Sequence, residues 1–326
     1  MIDREPESRW PRRRVLQLGA SLAGGILAAG SLGNPLLLAA DTEPDTAPSD
    51  EVRRQIEQIL NAEGKVSDGV FHLDIDRKDI DNVTLHGVPI KPSFQINGSI
   101  FFQTVGGGRV MMNADLALKP EELDRFIDRL IANDIVFQAE HQHMFDFSPV
   151  VWFVHFRADG DPLRIAKGVK AALDTTATPF PQRSPEHPKT SLPAEEMGRI
   201  IGAKPDVKED GVVTFDVPRR ERIMLGGVSI SPYLNVDTDI AFQPLGGGKA
   251  AAIPDYSLLA SEVQRVVGEK LHEGWDIGCL YNQEIAESPQ LYFSHQFKTG
   301  DPLQLAREIR SALNLTTREI RVMRRD

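Results

Sequence analysis

Phe102-Gln103-Thr104-Val105-Gly106-Gly107-Gly108 returns 140 residues later as Phe242-Gln243-Pro244-Leu245-Gly246-Gly247-Gly248. The same constant shift lays residues 85–176 over residues 225–316 without a gap. Gly87-Val88-x-Ile90-x-Pro92 recurs as Gly227-Val228-x-Ile230-x-Pro232, and Gly160-Asp161-Pro162-Leu163 as Gly300-Asp301-Pro302-Leu303. The chain therefore contains one unit twice. Positions that both copies keep read as scaffold, and positions that only one keeps are candidates for chemistry. Glu140-His141-Gln142-His143 stands out on that test, because the second copy has Leu280-Tyr281-Asn282-Gln283 instead.

Within a unit the apolar period alternates between that of strands and that of helices. Residues 70–75 set Val70, His72 and Asp74 against Phe71, Leu73 and Ile75, the two-residue period of a strand. Further strands are expected over 83–85, 94–105, 109–118, 135–143 and 150–156, with the triple glycines as a hairpin turn. Residues 120–133 read as an amphipathic helix with Pro120 at its first position and Leu123, Phe126, Ile127, Leu130 and Ile131 on its buried stripe. Helices are also expected over 51–62 and 194–201. Asp161 and Asp301 cap the helices that close each unit, with Pro162 and Pro302 next. The expected fold class is α+β: two tandem homologous units (51–176 and 194–320), each an antiparallel sheet with two or three packed helices, related by a pseudo-twofold. Residues 177–193 hold five prolines and read as a semi-stiff linker. Residues 321–326 form a tail.

The first 40 residues are a separate object. Arg12-Arg13-Arg14-Val15-Leu16-Gln17 fits the twin-arginine export pattern, and an Ala/Gly/Leu-rich run broken by glycines and Pro35 follows to Ala40. That run, about 20 residues, is also long enough to serve as an anchor; the arginines, glycines and small-residue end favour a cleaved signal. Residues 41–50 are Pro/Thr/Asp-rich and expected to be flexible. Of the formal charge of −10, residues 1–40 contribute +2, which leaves −12 for the remainder. An acidic chain without clustered Lys/Arg is not expected to bind nucleic acid or an anionic membrane. The expected destination is periplasmic or extracellular, with no stable membrane insertion after cleavage. Cys279 is the sole cysteine, so neither a disulfide nor a cysteine-based metal site is expected.

His141 and His143, two apart on an expected strand, leave the same face. A hairpin centred near 147–148 places His155 opposite His141, with Cβ atoms roughly 5 Å apart. Three imidazoles then meet on one patch, the donor set that zinc or a similar divalent ion takes from a protein with one position left open. His-x-His on a strand also occurs as a pair satisfied by backbone or water, and His155 is matched by His295, which argues for structure at that position. Glu140 leaves the opposite face and enters only as a candidate base or supporting residue. Asp115 with Asp255 reads as a pair of caps or turn residues, and Gln103 with Gln243 as scaffold. His72, His86, His187 and His272 read as isolated.

Pro92-Ser93-Phe94, the Phe102–Gly108 run, His141-Gln142-His143-Met144, Pro149-x-x-x-Phe153-x-His155-Phe156 and Gly160-Asp161-Pro162-Leu163 together resemble the LppY/LpqO family of exported proteins, a domain of unknown function. Family sequences resemble His-Asn-His-Met-Leu at the histidine element, so Gln142 and Phe145 depart while both histidines stay. The resemblance implies export and a tandem α+β architecture, and no established activity. Two functions follow as expectations. One is divalent-metal binding at His141, His143 and His155, extending to a metal-dependent hydrolase. The other is a non-catalytic module that binds a small molecule or partner in the cleft between the repeats.

Overall fold

The computed structural model describes residues 47–183 and 188–317. The expectations for residues 1–40, for 41–46 and for the 321–326 tail lie outside the described residues. The first repeat folds as α1 (Asp50–Leu60), β1 (Gly64–Ser67), β2 (Val70–Asp76), β3 (Asn97–Gly106), β4 (Arg109–Leu118), α2 (Leu123–Ala132), β5 (Val136–His141), β6 (Trp152–Gly160) and α3 (Pro162–Leu173). The second gives α4 (Ala194–Ile201), β7 (Asp206–Val207), β8 (Val213–Val217), β9 (Thr238–Gly246), β10 (Lys249–Leu259), α5 (Ala260–His272), β11 (Asp276–Ile277), β12 (Leu291–Gly300) and α6 (Pro302–Leu313). Each repeat is a six-stranded antiparallel sheet. The strand orders, β1-β2-β3-β4-β6-β5 and β7-β8-β9-β10-β12-β11, are the same.

Both hairpin turns fall on the triple glycines, which all adopt the left-handed backbone (φ +87°, +63° and +74° at Gly106–Gly108) that side chains resist. Asp161 and Asp301 accept from the backbone N–H groups of Arg164 and Gln304, as N-caps should. One expected strand is different. Phe94 and Gln95 lie in a single helical turn, Pro92–Gln95, started by the proline, and β3 begins only at Asn97.

Strand alternation gives each sheet two faces. Phe71, Leu73, Ile100, Phe102, Met112, Ala114, Val154 and Phe156 pack under α1, α2 and α3; Phe215, Ile240, Phe242, Ala252 and Tyr256 do the same under α4, α5 and α6. The other face is covered by the opposite repeat. Residues Val83, Leu85, Ile90, Phe94 and Phe147 of the first repeat pack with Ala241, Ala251, Ile253 and Phe297 of the second. Reciprocally, Ile223, Leu225, Ile230 and Leu234 pack with Val70 and Met111. Gln103 and Gln243 fasten this exchange. The Gln103 carboxamide accepts from Ser231 N–H at 2.7 Å and donates to Ser229 C=O, while Gln243 accepts from Lys91 N–H at 2.8 Å and donates to Pro89 C=O. The scaffold expected of these glutamines is thus a pair of cross-repeat clamps. Residues 177–183 of the linker are docked rather than free: Gln182 is buried and bonded to Asp76 and Pro179 backbone oxygens.

The repeat extends beyond its gapless region. Strand register matches Phe71 to Val213, a shift of 142 residues in place of 140, and an even change leaves every side chain on its face. It aligns Arg77 with Arg219, two buried arginines that gapless reading misses. Arg77 donates to Asp79, to Glu122 at 2.8–2.9 Å and to Ala117 C=O; Arg219 donates to Glu221, Glu262 and Ser257 C=O. Glu122 and Glu262 each also accept two backbone N–H groups, from Lys119 and Ala177 and from Leu259 and Thr317. With the Arg77 side chain fully buried and that of Glu122 5% exposed, Arg77→Leu strands a charge. Urea unfolding should show a loss of about 3–5 kcal/mol, only part of it recovered in the Arg77→Leu/Glu122→Leu double variant, which leaves the Lys119 and Ala177 N–H groups unmet.

Candidate functional site

A row of polar residues crosses four strands on the inner face of each sheet. In the first, Asp74 on β2 sits opposite Ser99 on β3, Ser99 opposite Asp115 on β4, and Asp115 opposite His155 on β6. In the second, Asp216 on β8, Asp239 on β9, Asp255 on β10 and His295 on β12 form the matching row. Both rows line one cavity of about 130 Å³ between the repeats. Asp115 and Asp255 are therefore not the caps expected from sequence. They are mid-strand residues facing the cavity.

The histidines gather at the end of these rows. His155 lies opposite Ala139, and His141 opposite Phe153, after a bulge between Phe137 and Ala139. The expected pairing of His155 with His141 is thus displaced by two residues along the strand, which keeps both on one face. The His141 ring lies 5.1 Å from His155, 5.0 Å from His143 and 6.0 Å from His295, and stacks on Tyr281 at 3.6 Å. His143, just past β5, stacks on Phe153 at 3.3 Å and on His295 at 3.7 Å. Gly278 permits this crossing, because a Cβ there would collide with His143 C=O and the Met144 sulfur.

One ligand atom from each of His141, His143 and His155 lies within 4.8 Å of the others. Tetrahedral zinc with bonds of about 2.0–2.1 Å spaces its ligands about 3.3 Å apart, a contraction within reach of small ring rotations. Burial holds His155 down to about 3, and burial with the neighbouring rings holds His141 and His143 well below the ordinary imidazole value. All three are neutral near pH 7, the form that binds metal. Neither ring nitrogen of His141 or of His155 has a hydrogen-bond partner, and all four are sealed from solvent. Leaving such an atom unmet costs about 1–3 kcal/mol. The His143 Nδ1 lies 2.6 Å from Gln95 Oε1, an acceptor that places the proton on Nδ1 and presents Nε2.

A second set overlaps the first. His141, Cys279 and His295 also have ligand atoms within 4.8 Å of one another, so the sole cysteine does belong to a candidate metal group, contrary to expectation. Its sulfur lies 3.3 Å from His295 Nδ1, and burial pushes the thiol well above its ordinary value. Glu140 is exposed and adds no atom to either set.

Of the histidines read as isolated, His72 lines the cavity, and burial holds it down to about 4. His86 is exposed within 3.8 Å of Asp146 and Asp276, His272 bonds Gly268 C=O of its own helix, and His187 lies outside the described residues. Nearby, Lys208 is held by Asp74 at 2.6 Å and Asp206 at 3.0 Å. Asp216 and Asp239 escaped sequence reading, and Asp255 was read as a cap, because their row exists only once three strands are in register. The one available signal was the Asp and His shared by both copies.

A duplicated α+β scaffold with one histidine-rich, acid-lined cleft at the junction of its copies is the class these features define. The chain matches the family described as Domain of Unknown Function (DUF1259) over residues 54–175 and again over 195–315, and it belongs to that family. No curated protein matches it. The crystal structure of EtuB from Clostridium kluyveri aligns with 78% of this chain and 90% of its own, at 8% identity and a TM-score of 0.19, too low for a shared fold. No helix among the described residues is long and apolar enough to cross a membrane.

The acidic row has a signature in stability. Confinement between the cleft walls, then Asp216 beside it, pushes Asp239 up to about 7, and confinement raises Asp216 to about 6, although both side chains stay open to the water of the cleft. An acid raised in the folded chain keeps its proton there after the unfolded chain has lost it. Their contribution to folded stability, screened by water at their open faces, therefore falls as pH rises from about 4 to about 7, while the buried neutral His141, His143 and His155 contribute in the opposite sense below about 6.5. In metal-free protein Asp239→Asn should raise the melting temperature relative to the wild type by an increment that grows with pH across that window, checked by differential scanning calorimetry.

Proposed function

We propose that the protein is exported and binds a divalent metal such as zinc through His141, His143 and His155. The observation behind this reading is the convergence of three neutral imidazoles, two of them with both nitrogens buried and unpartnered. The other set is less open, since Cys279 and His295 already contact each other. Three protein ligands leave a coordination position, and His143 and His155 both line the cleft. A metal held there would lower the pKa of bound water to about 7, which extends the proposal to metal-dependent hydrolysis with the cleft as room for substrate. Export is supported by Arg12-Arg13-Arg14 with the apolar run behind it, and by the resemblance to the LppY/LpqO proteins.

The cleft itself favours a second reading, a non-catalytic module that binds a small molecule between the repeats. Elemental analysis separates the two. Protein produced with its native N-terminus should carry close to one divalent metal per chain, and His141→Ala/His143→Ala should abolish it. Substoichiometric metal in the wild type, or unchanged content in the double variant, would sink the metal reading. Gln95→Leu, which frees the His143 tautomer, should weaken zinc affinity by about 10–100-fold in a chelator competition while the fold persists.

A further inference from the structure

Five carboxylates in the cleft have no cation in ion-pair contact, although Lys208 acts on Asp216 and Asp239 from beyond that distance. Among the described residues no Lys or Arg pairs with Asp115, Asp216, Asp237, Asp239 or Asp255; Lys208, the lysine in the cavity wall, is already held between Asp74 and Asp206. Three of the five stand in line. Asp216, Asp239 and Asp255 are direct cross-strand neighbours on β8, β9 and β10, so their spacing is fixed by the sheet at about 4.8 Å per strand, or about 9.6 Å from end to end. Like charges placed directly opposite one another destabilise a sheet. Asp216 and Asp239 are open to the water of the cleft, which leaves their carboxylates accessible to a ligand.

A second observation points to a ligand. His155 is 3% exposed, faces the same cavity, and has no partner on either nitrogen. Asn235 Nδ2 in the same wall is likewise buried and unpartnered, and Asp255 Oδ1 has only the His295 ring 3.6 Å away. The carboxylates do not converge as a single hard cation requires: among the described residues no carboxylate trio comes within ligand distance of one point. Elsewhere the cavity wall is apolar and aromatic at Val70, Phe101, Tyr233 and Ala241. Linear charge spacing, an apolar surface in the same cavity and a narrow volume describe one chemical class.

We propose that the cleft binds a short aliphatic di- or triamine, its ammonium groups laid along Asp216, Asp239 and Asp255 and its methylenes against Phe101 and Tyr233. Ammonium–carboxylate hydrogen bonds supply affinity, and the aromatic faces cover the methylenes. The proposal rests on the metal reading only for what lies at the histidine end of the ligand; the carboxylate row needs no metal to act.

Isothermal titration of the full-length mature protein tests it, both stripped of metal and zinc-loaded, with 1,4-diaminobutane, spermidine, n-butylamine, 1,4-butanediol and calcium chloride. The diamine or triamine should bind the metal-free protein saturably and more tightly than the monoamine, and the neutral diol should not bind. Asp239→Asn and Asp216→Asn, near-isosteric changes that relieve repulsion, should each weaken diamine binding by about tenfold or more, the scale of one charge-assisted hydrogen bond. Equal binding of diol and diamine would overturn the proposal, as would affinity unchanged in both variants, or calcium saturating the site in place of the amine. Should either variant fail to fold, the diol–diamine comparison on the wild type decides alone. Zinc content is measured on the same samples, so loss of the metal reading shows as absent zinc while the amine titration stands.

Discussion

Each sheet has two faces to cover and its own helices reach only one. Everything else in the described structure follows from how the second face is closed. Apolar residues on the inner faces, such as Val70 and Met111 or Ala251 and Ile253, would face water in an isolated repeat. The connection between the second and third strands of each repeat crosses over and covers them. At about 25 cal/mol per Å² of apolar surface, exchange of this kind outweighs what the two glutamine clamps add. The clamps instead fix register, because each carboxamide meets one N–H and one C=O two residues apart on the opposite arm. Neither repeat is a finished domain without the other.

Duplication also explains why there is one histidine cluster rather than two. The equivalents of His141 and His143 are Tyr281 and Gln283, and His141 stacks on Tyr281 at 3.6 Å. Positions 141 and 281 meet where the two copies meet. A second set of imidazoles would have to occupy space that the first already fills, and two dications at that separation would repel strongly. The tyrosine instead packs its ring on His141 and turns its hydroxyl to Asp255 at 3.3 Å. One copy can specialise only because the other has given way.

Much of this was legible in residues. The repeat, both glycine turns, the aspartate caps on α3 and α6 and the convergence of His141, His143 and His155 follow from period, propensity and spacing. The rule that shared positions are scaffold holds for Gln103 and Gln243. It fails for Asp115 with Asp255 and for His155 with His295, because a site built where two copies meet draws equivalent residues from both. Strand alternation in residues 70–75 was visible, but the polar face it defines turns inward to the cleft. Arg77 and Arg219 were hidden by a two-residue change in shift, and Cys279 by its distance in sequence from the histidines it approaches. Pairwise meetings across 140 residues belong to tertiary packing, which no local period encodes.

The two polar rows have diverged in a consistent direction. Where the second row has Asp239 the first has Ser99, which donates its hydroxyl to Asp74 and relieves the repulsion its counterpart retains. Asp74 has a lysine partner, whereas Asp216, its equivalent, has none among the described residues. The first repeat thus carries less charge and more imidazoles, and the second more charge and fewer imidazoles. Natural sequences depart from local rules chiefly at functional sites, where the cost is tolerated for what it binds. Cation-seeking carboxylates on one wall and metal-seeking nitrogens on the other are two such departures on one cavity, and the copies divide them between themselves.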